Sequence, residues 1–199
     1  MNLYRFFVII LRPIVYIIFR LKVINKNSLP KNTGLILCCN HISILDPAFV
    51  TIGQTKRQIY YMGKAELLEI PVLGFLLKKI GVFGVRRGTG DSAALDKAKE
   101  IIESGKVLGI FPEGTRSKNG EPLRPRSGAA ALALRTGADV LPAAIVCKGK
   151  VRPFCKITVV FGDIITNEQL GLKDDNPSTI KSATQIIMNK IISLREEYL

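Results

Sequence analysis

The chain has 199 residues, of which 47% are hydrophobic, and its formal net charge is +13. A chain of this length buries one substantial core, so a single domain is expected. The positive charge favours an anionic partner, such as a nucleic acid, an acidic lipid surface, a phosphorylated substrate or an acidic carrier protein. One histidine and four cysteines without C-x-x-C spacing argue against a structural zinc site and favour buried, reduced thiols. The cysteines are Cys38, Cys39, Cys147 and Cys155.

The first segment, residues 3–22, is mostly apolar or aromatic. Its only charges are Arg5, Arg12, Arg20 and Lys22. No apolar run in it approaches the roughly 20 residues that cross a bilayer. Arg12 interrupts the apolar stretch and no small-residue cleavage site follows, which disfavours a secretory signal. We expect residues 1–24 to form a helical segment, kinked at Pro13 or continuous, that lies in a membrane interface. A helix packed against the domain is the alternative.

From residue 25 onwards, short apolar runs alternate with segments of helical periodicity. The pattern predicts strands at 35–39, 59–62, 81–85, 107–111, 140–146 and 156–161, and helices at 47–53, between Asp91 and Gly105, at 128–136 and from Ile180 to Leu194. Residues 66–79 predict a helix broken by Pro71 and Gly74. The last strand alternates polar and apolar residues, which predicts one wet face. Residues 25–199 are therefore expected to form one α/β domain with a mixed, largely parallel central sheet flanked by helices.

The only histidine, His41, follows the predicted strand 35–39 and precedes Asp46 by five residues. Imidazole accepts and returns a proton readily near neutral pH, so His41 is a candidate general base. Asp46 and Pro47 predict a helix start, with Asp46 as the N-cap. Across this turn the carboxylate can accept one imidazole N–H and leave the other ring nitrogen as the base. A surface histidine beside an ordinary capping aspartate is the alternative.

A second polar loop, Pro112 to Ser117, follows the strand 107–111. Gly114 lets backbone amides approach an anion, Thr115 adds a hydroxyl donor, and Arg116 adds a planar fork for phosphate oxygens. In α/β sheets, ligands bind where loops leave the carboxyl ends of strands, and this loop and the His41 loop both leave there. The pattern predicts a phosphate-binding loop near a base. A β-turn with an ion pair between Glu113 and Arg116 is the alternative.

Two further basic positions follow predicted strands. Lys64 comes after 59–62, and Arg87 with its neighbour Arg86 comes after 81–85. Each is an ordinary solvated cation when taken alone. Together with Arg116 they predict an anionic substrate held near His41.

Four short segments carry a resemblance to a known family. They are Asn40–Asp46, which fits N-H-x-S-x-x-D, then Gly81–Arg87, Phe111–Ser117 and Leu141–Ala143. In this order they resemble the four motifs of the glycerolipid acyltransferases, the family of 1-acylglycerol-3-phosphate acyltransferases. Gly84 stands where many members have proline, and Arg126 stands where a lysine is typical.

The resemblance implies a glycerolipid acyltransferase-like fold and acyl transfer from a thioester to the 2-hydroxyl of lysophosphatidic acid, which gives phosphatidic acid. His41 is implied as general base and Asp46 as the carboxylate that orients it. The implied glycerol phosphate site consists of Lys64, Arg87, Glu113, Gly114, Thr115 and Arg116. No serine nucleophile is required, because the base only deprotonates an incoming alcohol.

The resemblance also implies the partners of the protein. The acyl donor is acyl-CoA or an acyl-carrier protein, a co-substrate rather than a cofactor, and neither a cofactor nor a metal ion is expected. The protein is expected at an anionic membrane surface, on the cytoplasmic face, without a nucleic-acid partner. Rival interpretations are another acceptor, such as glycerol 3-phosphate or another lysophospholipid, and a non-enzymatic basic protein. A serine hydrolase is disfavoured because Ser43 is not in a G-x-S-x-G turn.

Overall fold

The computed structural model describes residues 3–25, 29–30, 32–85 and 92–199. Within these ranges the strands are β1 (Lys22–Ile24), β2 (Leu35–Cys39), β3 (Ile59–Lys64), β4 (Val82–Val85), β5 (Val107–Ile110), β6 (Asp139–Cys147) and β7 (Ile157–Phe161). The helices are α1 (Leu3–Ile18), α2 (Asp46–Gly53), α3 (Pro71–Lys79), α4 (Ser92–Glu103), α5 (Gly128–Thr136) and α6 (Pro177–Glu197), with a 3₁₀ turn at Ala65–Leu68. The predicted break at Pro71 is confirmed, because the 3₁₀ turn ends before it and α3 begins at it, but the predicted break at Gly74 is wrong, since α3 continues through that residue.

The strands form one sheet in the order β1-β7-β6-β2-β5-β3-β4. All neighbouring pairs run parallel except β6 and β7, which are antiparallel. The expected α/β domain with a mixed, largely parallel sheet is therefore confirmed. Because β2, β3, β5 and β6 point the same way, the loops that follow them leave the sheet at one edge.

Helices cover both faces of the sheet, so its central strands are buried on both sides. Cys38 packs into the cluster under α4, α5 and α6, whereas Cys39 packs into the cluster under α2. The predicted wet face of 156–161 is wrong. Every residue of β7 is buried, Thr158 included, because α2 packs on one face of the strand and Leu194 of α6 packs on the other. All four cysteines are free, but Cys147 and Cys155 are only half-buried, contrary to the expectation.

The N-terminal segment forms one helix, α1, with Pro13 inside it. Tyr4 is buried, whereas the apolar side chains of the outer face are exposed: Phe6, Ile9, Ile10, Leu11, Ile14 and Ile17. In the part of the chain that the structure describes, no helix is both long and apolar enough to cross a bilayer. The sequence did not predict β1, which lies inside the range 1–24 and pairs parallel with β7. Three residues are too few to show a strand's periodicity.

Candidate active site

The loop after β2 brings His41 and Asp46 together. His41 Nδ1 lies 2.8 Å from Asp46 Oδ2, with Asp46 fully buried and 15% of the His41 side chain exposed. The same oxygen accepts the N–H groups of Ile42 at 2.6 Å and Ser43 at 2.7 Å. A carboxylate only accepts, so the neutral ring carries its proton on Nδ1 and leaves Nε2 as the base. The alternative of an outward-facing surface histidine is therefore excluded.

Asp46 does not cap α2, which corrects the prediction made from the Asp-Pro pair. The N-cap is Leu45, without a side-chain cap, and Asp46 is the first helical residue, followed by Pro47. The Asp46 carboxylate turns back onto the loop because the amides of Ile42 and Ser43 and the imidazole supply three donors there. Satisfying these donors fixes the loop in the conformation that presents His41.

Asn40 anchors the start of this loop to β6. Its side chain is buried, and its Nδ2 donates to the Ile145 carbonyl at 3.0 Å while its Oδ1 accepts the Ile145 N–H at 2.7 Å. The amide thus continues the pairing of β2 with β6 beyond Cys39 and Ala143. Asn40 was not predicted as a site residue, although a polar residue at the end of a wholly buried strand is a usable signal.

Glu113 joins the two loops. Its Oε1 accepts the N–H of His41 at 2.9 Å, and its Oε2 accepts the N–H of Leu123 at 3.1 Å. The side chain is buried, and this burial raises the pKa of the Glu113 carboxyl. Ser117 adds a second link by donating its N–H to the His41 carbonyl at 2.8 Å. The contacts of Glu113 are those of a positioning residue, and its implied role in substrate binding stays a prediction.

Aromatic rings support the imidazole from one side. The His41 and Phe111 rings stack with centroids 4.2 Å apart and an interplanar angle of 20°. Tyr61 stacks behind Phe111 at 6.0 Å and 13°. Gly109 makes room for this column, because a Cβ there would overlap the Tyr61 ring. Phe111 was not predicted as a site residue, although it is the first residue of the motif Phe111–Ser117.

Beyond Glu113 the β5 loop opens to solvent. Gly114 has φ +69°, and its N–H donates to the Phe111 carbonyl at 3.0 Å. Arg126 Cδ and Nε lie 2.8 Å from where a Gly114 Cβ would stand, so Arg126 lies over the loop. Thr115 and Arg116 are exposed and line a groove of about 480 Å³. Its other lining residues are Ile42, Ser43, Ile44, Ser117, Lys118, Asn119, Gly120, Gly149, Lys150 and Val151.

This groove carries cations beside the His41 loop. Arg116, Lys118 and Lys150 line it, and none of its lining residues is acidic. The alternative ion pair between Glu113 and Arg116 does not form, because both Glu113 oxygens face backbone amides. A phosphate in the groove would therefore meet cationic and hydroxyl donors within reach of the loop that holds the base.

The remaining predicted cations lie elsewhere. Lys64 ends β3 at the same sheet edge, but it does not line the groove and its Nζ lies 3.2 Å from Glu66 Oε1 in an exposed ion pair. Arg87 and Arg86 lie outside the residues that the structure describes. Within the described ranges, no group of three or more His, Cys, Asp or Glu side chains is arranged to hold a metal ion.

The chain is similar in sequence to several known proteins. The chain is 33% identical to the 1-acyl-sn-glycerol-3-phosphate acyltransferase of Bacillus subtilis over 142 residues, 71% of this chain and 70% of that protein. It is 34% identical to the Borreliella burgdorferi protein of the same name, over 60% of this chain and 48% of that protein. The chain thus spans about half the length of the Borreliella relative.

The fold also has a solved counterpart. The crystal structure of the 1-acyl-sn-glycerophosphate acyltransferase PlsC from Thermotoga maritima superposes with a TM-score of 0.66, covering 97% of this chain and 94% of that one at 20% identity. The sequence model of the acyltransferase family matches residues 20–146, which include both loops of the site. The chain belongs to the acyltransferase family.

Proposed function

We propose that the protein transfers an acyl chain from a thioester to the 2-hydroxyl of 1-acylglycerol 3-phosphate, giving phosphatidic acid. The observation that carries this proposal is the 2.8 Å contact between His41 Nδ1 and Asp46 Oδ2 beside a cationic groove. The names of the Bacillus and Borreliella relatives support this choice of acceptor. The donor is acyl-CoA or an acyl-carrier protein, and the reaction needs neither a cofactor nor a metal ion.

The proton path begins at His41 Nε2, which takes the hydroxyl proton as the alcohol oxygen attacks the thioester carbonyl. The tetrahedral intermediate then expels the thiolate, and the imidazolium returns the proton to sulfur. Asp46 stabilises the imidazolium through the Nδ1 contact. Because Asp46 and the loop amides already hold the ring in place, its orientation costs little at the moment of reaction. No acyl-enzyme intermediate is involved.

The acceptor's phosphate is proposed to lie in the groove against Thr115 and Arg116. Gly114 contributes conformation rather than a donor, since its own N–H is engaged by Phe111 and its positive φ turns the chain. Glu113 holds the loop that carries these donors against the His41 loop. Lys64 is proposed to act where β3 ends, farther along the same sheet edge, and Arg87 is proposed as a further contact to the phosphate.

The protein is proposed to act at an anionic membrane surface on the cytoplasmic face, with residues 1–24 as the membrane-associating segment and 25–199 as the acyltransferase domain. The exposed apolar face of α1 supports an interfacial position. Substrate and product are both lipids, so a protein held at the interface does not need to extract them into water. Deletion of residues 1–18 is expected to abolish co-sedimentation with liposomes, and unchanged binding would remove this part of the proposal.

The central experiment is an assay of purified protein with lysophosphatidic acid and labelled acyl-CoA or acyl-carrier protein. His41→Ala is expected to lose about 10²–10⁴-fold in rate, the usual contribution of a general base. Asp163→Ala, which removes an exposed carboxylate after β7, is the control and should keep the wild-type rate. Wild-type turnover by His41→Ala would refute the mechanism. Activity on glycerol 3-phosphate or another lysophospholipid in place of lysophosphatidic acid would reassign the acceptor.

A further inference from the structure

The loop between β6 and β7, residues 148–156, contains an unusual turn. The N–H of Cys155 donates to the Arg152 carbonyl at 3.2 Å, which closes a β-turn with Pro153 and Phe154 at its centre. Phe154 has φ +66°. A turn with proline second and a positive φ third favours glycine or asparagine at the third position. A bulky phenylalanine there is strained.

Phe154 packs little against the rest of the fold, because 71% of the residue's surface is exposed. The residues at the base of the loop, unlike Phe154, contact one another. Arg152 donates its N–H to Cys155 Sγ at 3.5 Å, and Cys147 Sγ lies 3.8 Å from Cys155 Sγ. The turn is thus strained at the residue that also exposes an aromatic ring. Strain at an exposed apolar side chain is typical of a site that contacts something outside the chain.

Phe154 lies where the apolar face of α1 ends. Its N–H donates to the carbonyl of Ile18, the last residue of α1, at 2.6 Å. The preceding residue, Ile17, has 71% of its side chain exposed, and Ile14 one turn earlier is exposed as well. Ile157 at the start of β7 adds a second link by donating to the Phe19 carbonyl at 3.0 Å. Phe154 therefore extends the exposed apolar surface of α1 onto the β6–β7 loop.

The charged residues of this loop are all basic. The loop 148–156 contains no acidic residue and four exposed basic ones, Lys148, Lys150, Arg152 and Lys156. Apolar side chains surrounded by lysine and arginine suit the interface of an anionic bilayer, where rings enter the acyl boundary and cations meet headgroups. A protein partner of mixed charge would be repelled by part of this rim.

We propose that Phe154 inserts into the interface of an anionic lipid bilayer as a second membrane contact beside α1. This proposal rests on the proposed function in one respect, which is the position of α1 at the membrane surface. Insertion of Phe154 would affect the reaction by positioning the groove relative to the membrane. Lys150 and Val151 of the same loop line the groove next to the His41 loop, so the inserted turn would bring the groove to the lipid surface. The membrane contact would then lie where a lipid acceptor enters.

The test uses the full chain and vesicles of phosphatidylglycerol mixed equally with phosphatidylcholine, compared with phosphatidylcholine alone. Phe154→Gly is expected to bind the anionic vesicles roughly three- to tenfold more weakly than wild type, because the ring's apolar area no longer leaves water. Phe154→Trp should retain binding. Ile186→Ala, a change at an exposed apolar residue of α6, is the matched control and should bind as wild type.

The stability and activity of Phe154→Gly distinguish a loss of membrane insertion from misfolding. Glycine suits the positive φ, so Phe154→Gly is expected to unfold at the same or a higher urea concentration than wild type. Its activity on detergent-dispersed substrates should equal that of wild type, which separates this proposal from the mechanism at His41. Vesicle binding by Phe154→Gly at the wild-type level would overturn the proposal. Equal weakening by Phe154→Trp or by Ile186→Ala would overturn it too.

Discussion

The two halves of the β5 loop differ sharply in their surroundings. The first half, with Glu113, is buried and its polar atoms meet amides of the His41 loop and of Leu123. The second half, with Thr115 and Arg116, is exposed and faces the cationic groove. In the half beside the base, both Glu113 oxygens are hydrogen-bonded within the protein. In the half that faces the groove, the Arg116 guanidinium is exposed to solvent.

This difference assigns separate tasks to neighbouring residues. Proton transfer requires a ring that is already oriented, and the buried network supplies it through Asp46 and Glu113. Phosphate binding requires donors that the protein itself does not satisfy, and the exposed half supplies them. Changes in the buried half should therefore affect rate and stability, and changes in the exposed half should affect substrate affinity.

The largest effect is expected from Asp46→Asn. The asparagine oxygen can keep the three contacts of Oδ2, since Oδ1 is buried and has no hydrogen-bond partner among the residues described. The variant loses the charge that stabilises the imidazolium and also buries an amide N–H₂ group where Oδ1 has no partner. We expect kcat to fall about 10²–10⁴-fold and the free energy of unfolding to fall by about 1–3 kcal/mol. Steady-state kinetics and circular dichroism check this expectation. A kcat within threefold of wild type would show that orientation alone is needed.

Arg116→Ala tests the exposed half. Because a charged hydrogen bond contributes about 1.5–3 kcal/mol, KM for lysophosphatidic acid should rise roughly 10- to 100-fold with little change in KM for the acyl donor. Arg124→Ala is the control, since Arg124 is exposed nearby but does not line the groove. A rise confined to the donor KM would reassign Arg116 to the thioester substrate.

Gly109→Ala tests the support beneath the base. The added methyl would overlap the Tyr61 ring and displace the column that ends at Phe111 and His41, so the free energy of unfolding should fall by about 1–3 kcal/mol and kcat should fall with it. Gly128→Ala is the matched control. No atom lies within 4 Å of its added methyl, and the change should be neutral or slightly stabilising. Urea unfolding compares the two, and equal stabilities would contradict the packing described.

The smallest effect concerns the titration of Glu113. Burial raises the pKa of its carboxyl in the folded protein above the usual 4.5, so the folded state holds the proton more tightly than the unfolded state. The stability that this gives is fully present below the unfolded pKa and is lost as pH rises through the folded pKa. Glutamine does not titrate. The stability of wild type relative to Glu113→Gln should therefore decrease with rising pH, as measured by urea unfolding across that range. An increase in relative stability over the same range would contradict the raised pKa.

Short-range patterns carried much of the prediction. The strand 35–39, the break before α3 and the helix 128–136 are confirmed, because each depends on neighbouring residues and their periodicity. The meeting of His41 with Asp46 was also predictable, since only a short turn separates them. The capping role of Asp46 was not, because the loop amides compete for its carboxylate.

The chain itself determined the alternation of strands and helices, the loop that holds His41 and Asp46, and the polar loop after β5 that carries Thr115 and Arg116. Those features depend on residue type and on contacts over a few positions. Only the tertiary structure decided that β7 is buried on both faces, that Glu113 contacts His41 across 72 residues, and that Phe154 adjoins α1. Each of these features depends on which distant segments of the chain become neighbours in the fold, and local sequence patterns do not predict such contacts.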